Sequence, residues 1–168
     1  MKNYVKMFFL VLLVFFLLYP LISRAQFFLM DNPLLGNAAP DFSLENLKGE
    51  RKNLTELREG QHAIIFFWTT WCPHCREQLS KLHQDKEKIE KNNIKLILVN
   101  LGESVSQVSG YFRKHGFVFD VLFDASGKVA SDYEVVGVPT YIFINQEGLV
   151  KAVENVLIDH YEDVLNKI

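Results

Sequence analysis

Cysteine is scarce in this 168-residue chain: there are two, Cys72 and Cys75, both in the stretch IIFFWTTWCPHCRE from Ile64 to Glu77. Two cysteines cannot build a disulfide scaffold. A bond between positions three apart closes so small a loop that it constrains the unfolded chain little, so stabilisation is a poor reason for the pair. Methionine is nearly absent too: Met1, Met7 and Met30 all lie near the N-terminus, and the rest of the chain has no thioether. Excess charge of either sign is missing, with 18 Lys+Arg against 20 Asp+Glu and a net charge of −2. No basic patch therefore points to nucleic acid. No repeat and no low-complexity tract interrupts the chain. What is present is apolar bulk, 49% hydrophobic residues and fourteen phenylalanines, enough for one packed core with sequence to spare.

Part of that bulk sits at one end. Met7 to Ser23 carries no charge and lies between Lys2 and Lys6 on one side and Arg24 on the other. The run from Met7 to Leu18 is apolar on every face, which suits lipid or a translocon rather than water. The flanking charges orient the N-terminus inside and the remainder outside the cytoplasm. Residues 1–25 are therefore read as a membrane anchor, a single N-terminal transmembrane helix. The alternative is a signal peptide cut near Ala25, where Ser23 and Ala25 supply small residues. Residues 26–37 read as a linker and residues 38–168 as the domain.

Within the domain, Asp41 to Leu44 and Glu50 to Asn53 pattern as a hairpin around Asn46–Gly49. Ala63 to Trp68 is a continuous apolar run, expected to be a buried central strand. After the cysteines, Leu79, Leu82 and Ile89 share a helical face, and Asn92-Asn93 ends the helix. Ile94 to Val99 is a second buried strand. Ser104 to Gln107 is a capping box opening a helix that runs to His115-Gly116. Phe117 to Phe123 reads as a short strand and Ala130 to Tyr133 as a short helix. Tyr141–Ile144 and Leu149–Val153 form a hairpin, and Ile158 to Ile168 a closing helix. The order ββ, βαβα, ββα describes an α/β fold with a mixed central sheet and helices on both faces.

A strand feeding Trp71-Cys72-Pro73-His74-Cys75 straight into a helix places Cys72 at the helix N-terminus, where free N–H groups and the macrodipole favour a thiolate. Pro73 suits the first turn, and a protonated His74 adds to the effect. Cys75, one turn on, can close a disulfide. Cys72 is thus expected to attack and Cys75 to resolve. Zinc would need more ligands than this pair, and His62, His83, His115 and His160 lack ligand spacing, so no metal site is expected. Thr69, three residues before Cys72, suits a peroxidatic cysteine, but peroxiredoxins carry a proline four residues earlier, where Ile65 stands here. Further on, Gly137-Val138-Pro139-Thr140 precedes a strand, and Pro139 is a candidate cis peptide. The backbone of Val138 would then lie beside the cysteines, ready to pair with an extended substrate.

Together these residues resemble the TlpA/ResA type of thioredoxin-like thiol–disulfide oxidoreductase. The matching pieces are Ala39 to Leu44, Phe67 to Arg76, Val99 to Ser104 and Val138-Pro139-Thr140, spread over nearly all of the chain after residue 37. The resemblance implies a thioredoxin fold with an N-terminal β-hairpin and a central insertion near Asn100 to Phe123. It implies catalysis by Cys72 and Cys75, tuning by Trp71, Pro73 and His74, and substrate binding by Val138, Pro139 and Thr140. No cofactor beyond the redox-active disulfide is implied. Partners would be exported protein thiols and disulfides, apocytochromes c among them, and a membrane electron donor of the CcdA/DsbD type, with the enzyme a tethered monomer facing away from the cytoplasm.

Two positions depart from the pattern. Many relatives place a glutamate three residues after the second cysteine, where this chain has Gln78. Thioredoxins place an aspartate six residues before the first, where it has Phe66. Neither replacement accepts a proton from Cys75, which leaves water, the substrate or Glu77 to do so. The Pro73-His74 dipeptide also occurs in oxidising DsbA proteins, so a thiol oxidant or isomerase is one alternative to a reductase. A copper metallochaperone holding Cu(I) between the two thiolates is another.

Overall fold

The structure is a computed structural model, and it describes residues 7, 8, 12, 13, 15 and 32–166. Two compact units result, Met1–Asn32 and Pro33–Ile168. In the first, residues 7, 8, 12, 13 and 15 are helical and exposed. The expected anchor or signal segment falls largely outside the described residues, among which no helix is long and apolar enough to cross a membrane.

The second unit runs β1 (Ser43–Asn46), β2 (Arg51–Asn53), α1 (Leu54–Arg58), β3 (His62–Trp68), α2 (Pro73–Lys91), β4 (Ile94–Leu101), α3 (Val105–His115), β5 (Val121–Asp124), α4 (Lys128–Asp132), β6 (Thr140–Ile144), β7 (Val150–Glu154) and α5 (Tyr161–Asn166). The strands form one sheet in the order β2-β1-β5-β4-β3-β6-β7. β3, β4 and β5 are parallel and central, while β1, β2, β6 and β7 join antiparallel at the flanks. This is the thioredoxin-like mixed sheet expected, with the N-terminal hairpin added at one edge.

β3 is apolar throughout because both of its faces are covered. Ile64, Phe66 and Trp68 pack with Leu79, Leu82 and Ile89 of α2 and Phe112 of α3. Ala63, Ile65 and Phe67 pack on the opposite face with Leu54, Val129 and Tyr133. A polar residue on either face would have to be buried without a natural partner. α3 opens on the expected capping box, with the Ser104 side chain and the Gln107 side chain each bonded to the other's backbone.

β1 and α4 are each offset by about two residues from expectation, at Ser43–Asn46 and Lys128–Asp132, and three elements differ further. α1 was not foreseen; it is a single short helix whose N-terminus is satisfied by Asn53 Oδ1, which accepts the Glu56 N–H at 2.8 Å. β5 begins at Val121 rather than Phe117, because Phe117 and Phe119 turn to pack with Phe112 and His83 instead of pairing with a strand. α5 begins at Tyr161, three residues later than the pattern suggested, and its last expected residues lie outside those described. Residues 34–39 lie along the β7 edge, where Gly36 N–H donates to Val150 O at 2.8 Å and Val150 N–H to Asn37 O at 2.9 Å.

Candidate active site

β3 and β4 end at the same edge of the sheet, and the loop from Thr69 to Cys72 crosses that edge into α2. Cys72 caps α2: its Sγ accepts the Cys75 N–H at 3.3 Å, one of the donors a helix start leaves open. Pro73 fills the first helical position, where a missing N–H costs nothing. Both cysteines are in the dithiol form and both are buried, Cys75 completely. Burial pushes the Cys75 thiol up to about 12, and its hydrogen bond with Cys72 pushes the same way, while a backbone bond from Thr69 opposes both.

Across the site, Val138-Pro139 is a cis peptide, as expected from the sequence. Cys72 Sγ donates to Val138 O at 3.6 Å, so the structure brings the cysteine pair and the Val138-Pro139 segment together over 66 residues of chain. Thr140 is buried, and its hydroxyl turns back to donate to Gly137 O at 2.7 Å. The indole of Trp71 stands 68% exposed next to Cys72, and Val136 is fully exposed in the loop before Val138. His74 and Glu77 lie on the solvent side of α2, with Nδ1 and Oε2 3.5 Å apart. Glu77 is thus directed at His74, on the surface of the helix whose inner side carries Cys75.

Two features of the site were not assigned roles from sequence. The first is Glu103, whose carboxylate accepts the Thr70 N–H at 2.7 Å, the Thr70 hydroxyl at 2.5 Å and Asn100 Nδ2 at 2.8 Å. Asn100 also donates to Trp68 O at 3.4 Å. The end of β3 and the loop leading to Cys72 are thereby tied to the β4–α3 connection. The signal was present in Asn100 to Ser104, a stretch that carries the family resemblance, but nothing in it says which residue the carboxylate holds.

The second is the surroundings of Gln78, one turn after Cys75. Its Oε1 accepts the Tyr141 hydroxyl at 3.0 Å and the Leu157 N–H at 2.9 Å. Tyr141 is fully buried and stacks on Phe66 with ring centroids 4.5 Å apart. Burial holds its phenol protonated far above the ordinary range, and the nearby Cys75 adds to this. The two positions that carry a carboxylate in many related proteins are therefore filled by an amide with fixed orientation and by an aromatic stack. Among the described residues, no three or more His, Cys, Asp or Glu side chains gather as a metal could require.

This arrangement can do dithiol–disulfide exchange: a nucleophile at a helix start, a resolving thiol one turn on, and an extended backbone segment opposite. Comparison with known proteins agrees. The AhpC/TSA family pattern matches residues 35–153. The thiol-disulfide oxidoreductase ResA of Bacillus subtilis (strain 168) is 32% identical over 118 residues, 70% of this chain and 65% of that protein. ResA of Geobacillus thermodenitrificans (strain NG80-2) is 30% identical over 119 residues, 71% of this chain and 68% of that protein. The crystal structure of StoA from Bacillus subtilis shares the fold, with a TM-score of 0.62 at 22% identity over 74% of this chain and 91% of that one. The family pattern spans most of the chain and the ResA matches extend over about the same stretch, so the chain belongs to the AhpC/TSA family, and within it to the ResA-type thioredoxin-like thiol–disulfide oxidoreductases.

Proposed function

We propose that this protein reduces disulfides in exported client proteins, with Cys72 attacking the client and Cys75 resolving the mixed disulfide. The observation that carries this reading is the contact between Cys72 Sγ and Val138 O, which places the nucleophile against the backbone an extended client would pair with. In the cycle, the Cys72 thiolate attacks one client sulfur, the client disulfide breaks and one client thiolate leaves. Cys75 then attacks Cys72 Sγ, releasing the second client thiol and leaving the Cys72–Cys75 disulfide. A membrane electron donor of the CcdA/DsbD type would restore the dithiol. Apocytochromes c are one client class this reading accommodates. The apolar N-terminal segment would tether the domain, as a monomer, on the extracytoplasmic face.

An oxidant is the competing reading, because Pro73-His74 favours the reduced thiolate and so a more oxidising disulfide. The geometry of His74 speaks for the reductant. Its side chain is 79% exposed, with Nδ1 3.5 Å from Glu77 Oε2, so solvent and the neighbouring carboxylate screen it from Cys72. The test is the reduction potential of the Cys72–Cys75 pair, measured by equilibration in glutathione and dithiothreitol buffers. A value near or below about −250 mV is expected, and a value near about −120 mV would make the protein an oxidant.

A further inference from the structure

The carbonyls of Gly137, Val138 and Pro139 each have a hydrogen-bond donor. Gly137 O accepts the Thr140 hydroxyl at 2.7 Å, and Pro139 O accepts Asn155 Nδ2 at 2.9 Å. Val138 O, between them, accepts the Cys72 thiol at 3.6 Å. The outer two donors are side chains of the fold that take no part in thiol–disulfide exchange. The middle donor is the nucleophile's own proton, which must leave before Cys72 can attack. A carbonyl whose flanks are held cannot turn away to find another partner within the protein. It is also the acceptor that an extended client would use to add a strand here.

We propose that client docking and release of the Cys72 proton are one coupled event: a backbone N–H of the client takes over Val138 O, and the thiol, having lost its acceptor, gives its proton to solvent. This rests on the exchange reading above and adds to it that the client's backbone activates the nucleophile that attacks it. The linkage is reciprocal. If docking favours the thiolate, the thiolate must favour docking, and a protonated Cys72 competes with the client for the same carbonyl. The charged and titratable groups around Cys72 are His74, Cys75, Arg76 and Glu77 on α2, Glu103 behind Thr70, and Tyr141 on β6. All are present before and after docking, whereas the donor to Val138 O is exchanged. Specificity follows from the same geometry: a disulfide without a backbone N–H to offer is attacked by the unassisted thiol.

The test compares two pH profiles on the reduced protein, using as probe a linear peptide whose single cysteine is capped with thionitrobenzoate. The second-order rate at low probe concentration reports the free protein, and the rate at saturation reports the docked complex. The midpoint of the saturated profile is expected about half a pH unit below that of the second-order profile, roughly a threefold fall in proton affinity. The same peptide N-methylated at the residues flanking its cysteine is expected to show no such gap. Coincident midpoints for the unmodified peptide, or an equal gap with the N-methylated one, would overturn the proposal while leaving thiol–disulfide exchange intact. A peptide that is not attacked at all would overturn the exchange reading, and this inference with it.

Discussion

Replacing Gln78 by Glu puts a carboxylate where the amide oxygen now sits, with both of its donors retained: the Tyr141 hydroxyl at 3.0 Å and the Leu157 N–H at 2.9 Å. The change is nearly isosteric at a half-buried position, and two donors favour an anion there, so the fold should accept it. Its effect on chemistry can be estimated from Cys75. With that thiol pushed up to about 12, roughly one molecule in 100,000 carries it as thiolate at about pH 7. Resolution therefore waits on a proton that nothing at position 78 can accept. A well-aligned general base gives about 10²–10⁴ in rate, and a carboxylate already tied to two donors should give less, about tenfold. Reaction of the dithiol with 5,5′-dithiobis(2-nitrobenzoate) separates the steps. The first release of thionitrobenzoate reports attack by Cys72, and the second reports attack by Cys75 on the mixed disulfide. Gln78→Glu should accelerate the second phase about tenfold and leave the first within about twofold. If the second phase is unchanged in a normally folded variant, a carboxylate at this position does not take the Cys75 proton and the argument fails.

Two further outcomes are expected. Glu103→Ala removes an acceptor of three hydrogen bonds, each worth about 1 kcal/mol net and partly replaced by water, so urea unfolding of the reduced protein should show a loss of about 2 kcal/mol. A loss below about 0.5 kcal/mol would mean that Glu103 does not clamp the loop before Cys72. Folding raises the Cys75 thiol from 9.0 to about 12, so the stability this contributes is complete below pH 9 and is lost as pH climbs toward 12. Across that window the reduced wild type should lose up to roughly 3 kcal/mol relative to Cys75→Ala, and parallel stability curves would contradict a buried neutral thiol.

Much of the sheet was legible because its causes are local. β3 announces itself as an unbroken apolar run, α3 by a capping box at Ser104, and α2 by the spacing of Leu79, Leu82 and Ile89. Where packing partners are distant in sequence, the pattern misled. Phe117 and Phe119 look like strand residues, yet they are drawn into the ring cluster around Phe112, so β5 begins later than its apolar stretch. α1 is short enough that the polar spacing around Asn53 resembles a turn. The same division holds in the site. Cys72 and Cys75 are neighbours in the chain, and Val138-Pro139 could be attached to them through the resemblance. The bonds that set their chemistry span longer distances: Gln78 to Leu157, Gln78 to Tyr141, Thr70 to Glu103 and Asn155 to Pro139. A sequence shows that glutamine stands where a carboxylate was expected. It does not show that the glutamine's oxygen is tied to two donors.

Those long-range bonds give the two thiols different situations. Cys72 has a partner that a docked strand would replace under the proposal above: its thiol donates a hydrogen bond to Val138 O, the carbonyl to which an extended client would donate. Cys75 lies fully buried against the core, near a phenol whose O–H already donates a hydrogen bond to Gln78. Neither Tyr141 nor Gln78 takes a proton readily, since the amide is not basic and the phenol is held neutral. In the resolving step Cys75 Sγ bonds to Cys72 Sγ as the client sulfur departs, and the departing thiolate is the basic group formed at that moment. The Cys75 proton then goes to the client thiolate, directly or through water, and the balance closes without a protein carboxylate. In the proposed reduction, resolution therefore depends on the client's thiol in two opposed ways. A more basic client sulfur accepts the proton better but leaves more slowly. A carboxylate one turn after the second cysteine would separate those demands, whereas with Gln78 there a single atom of the client must meet both.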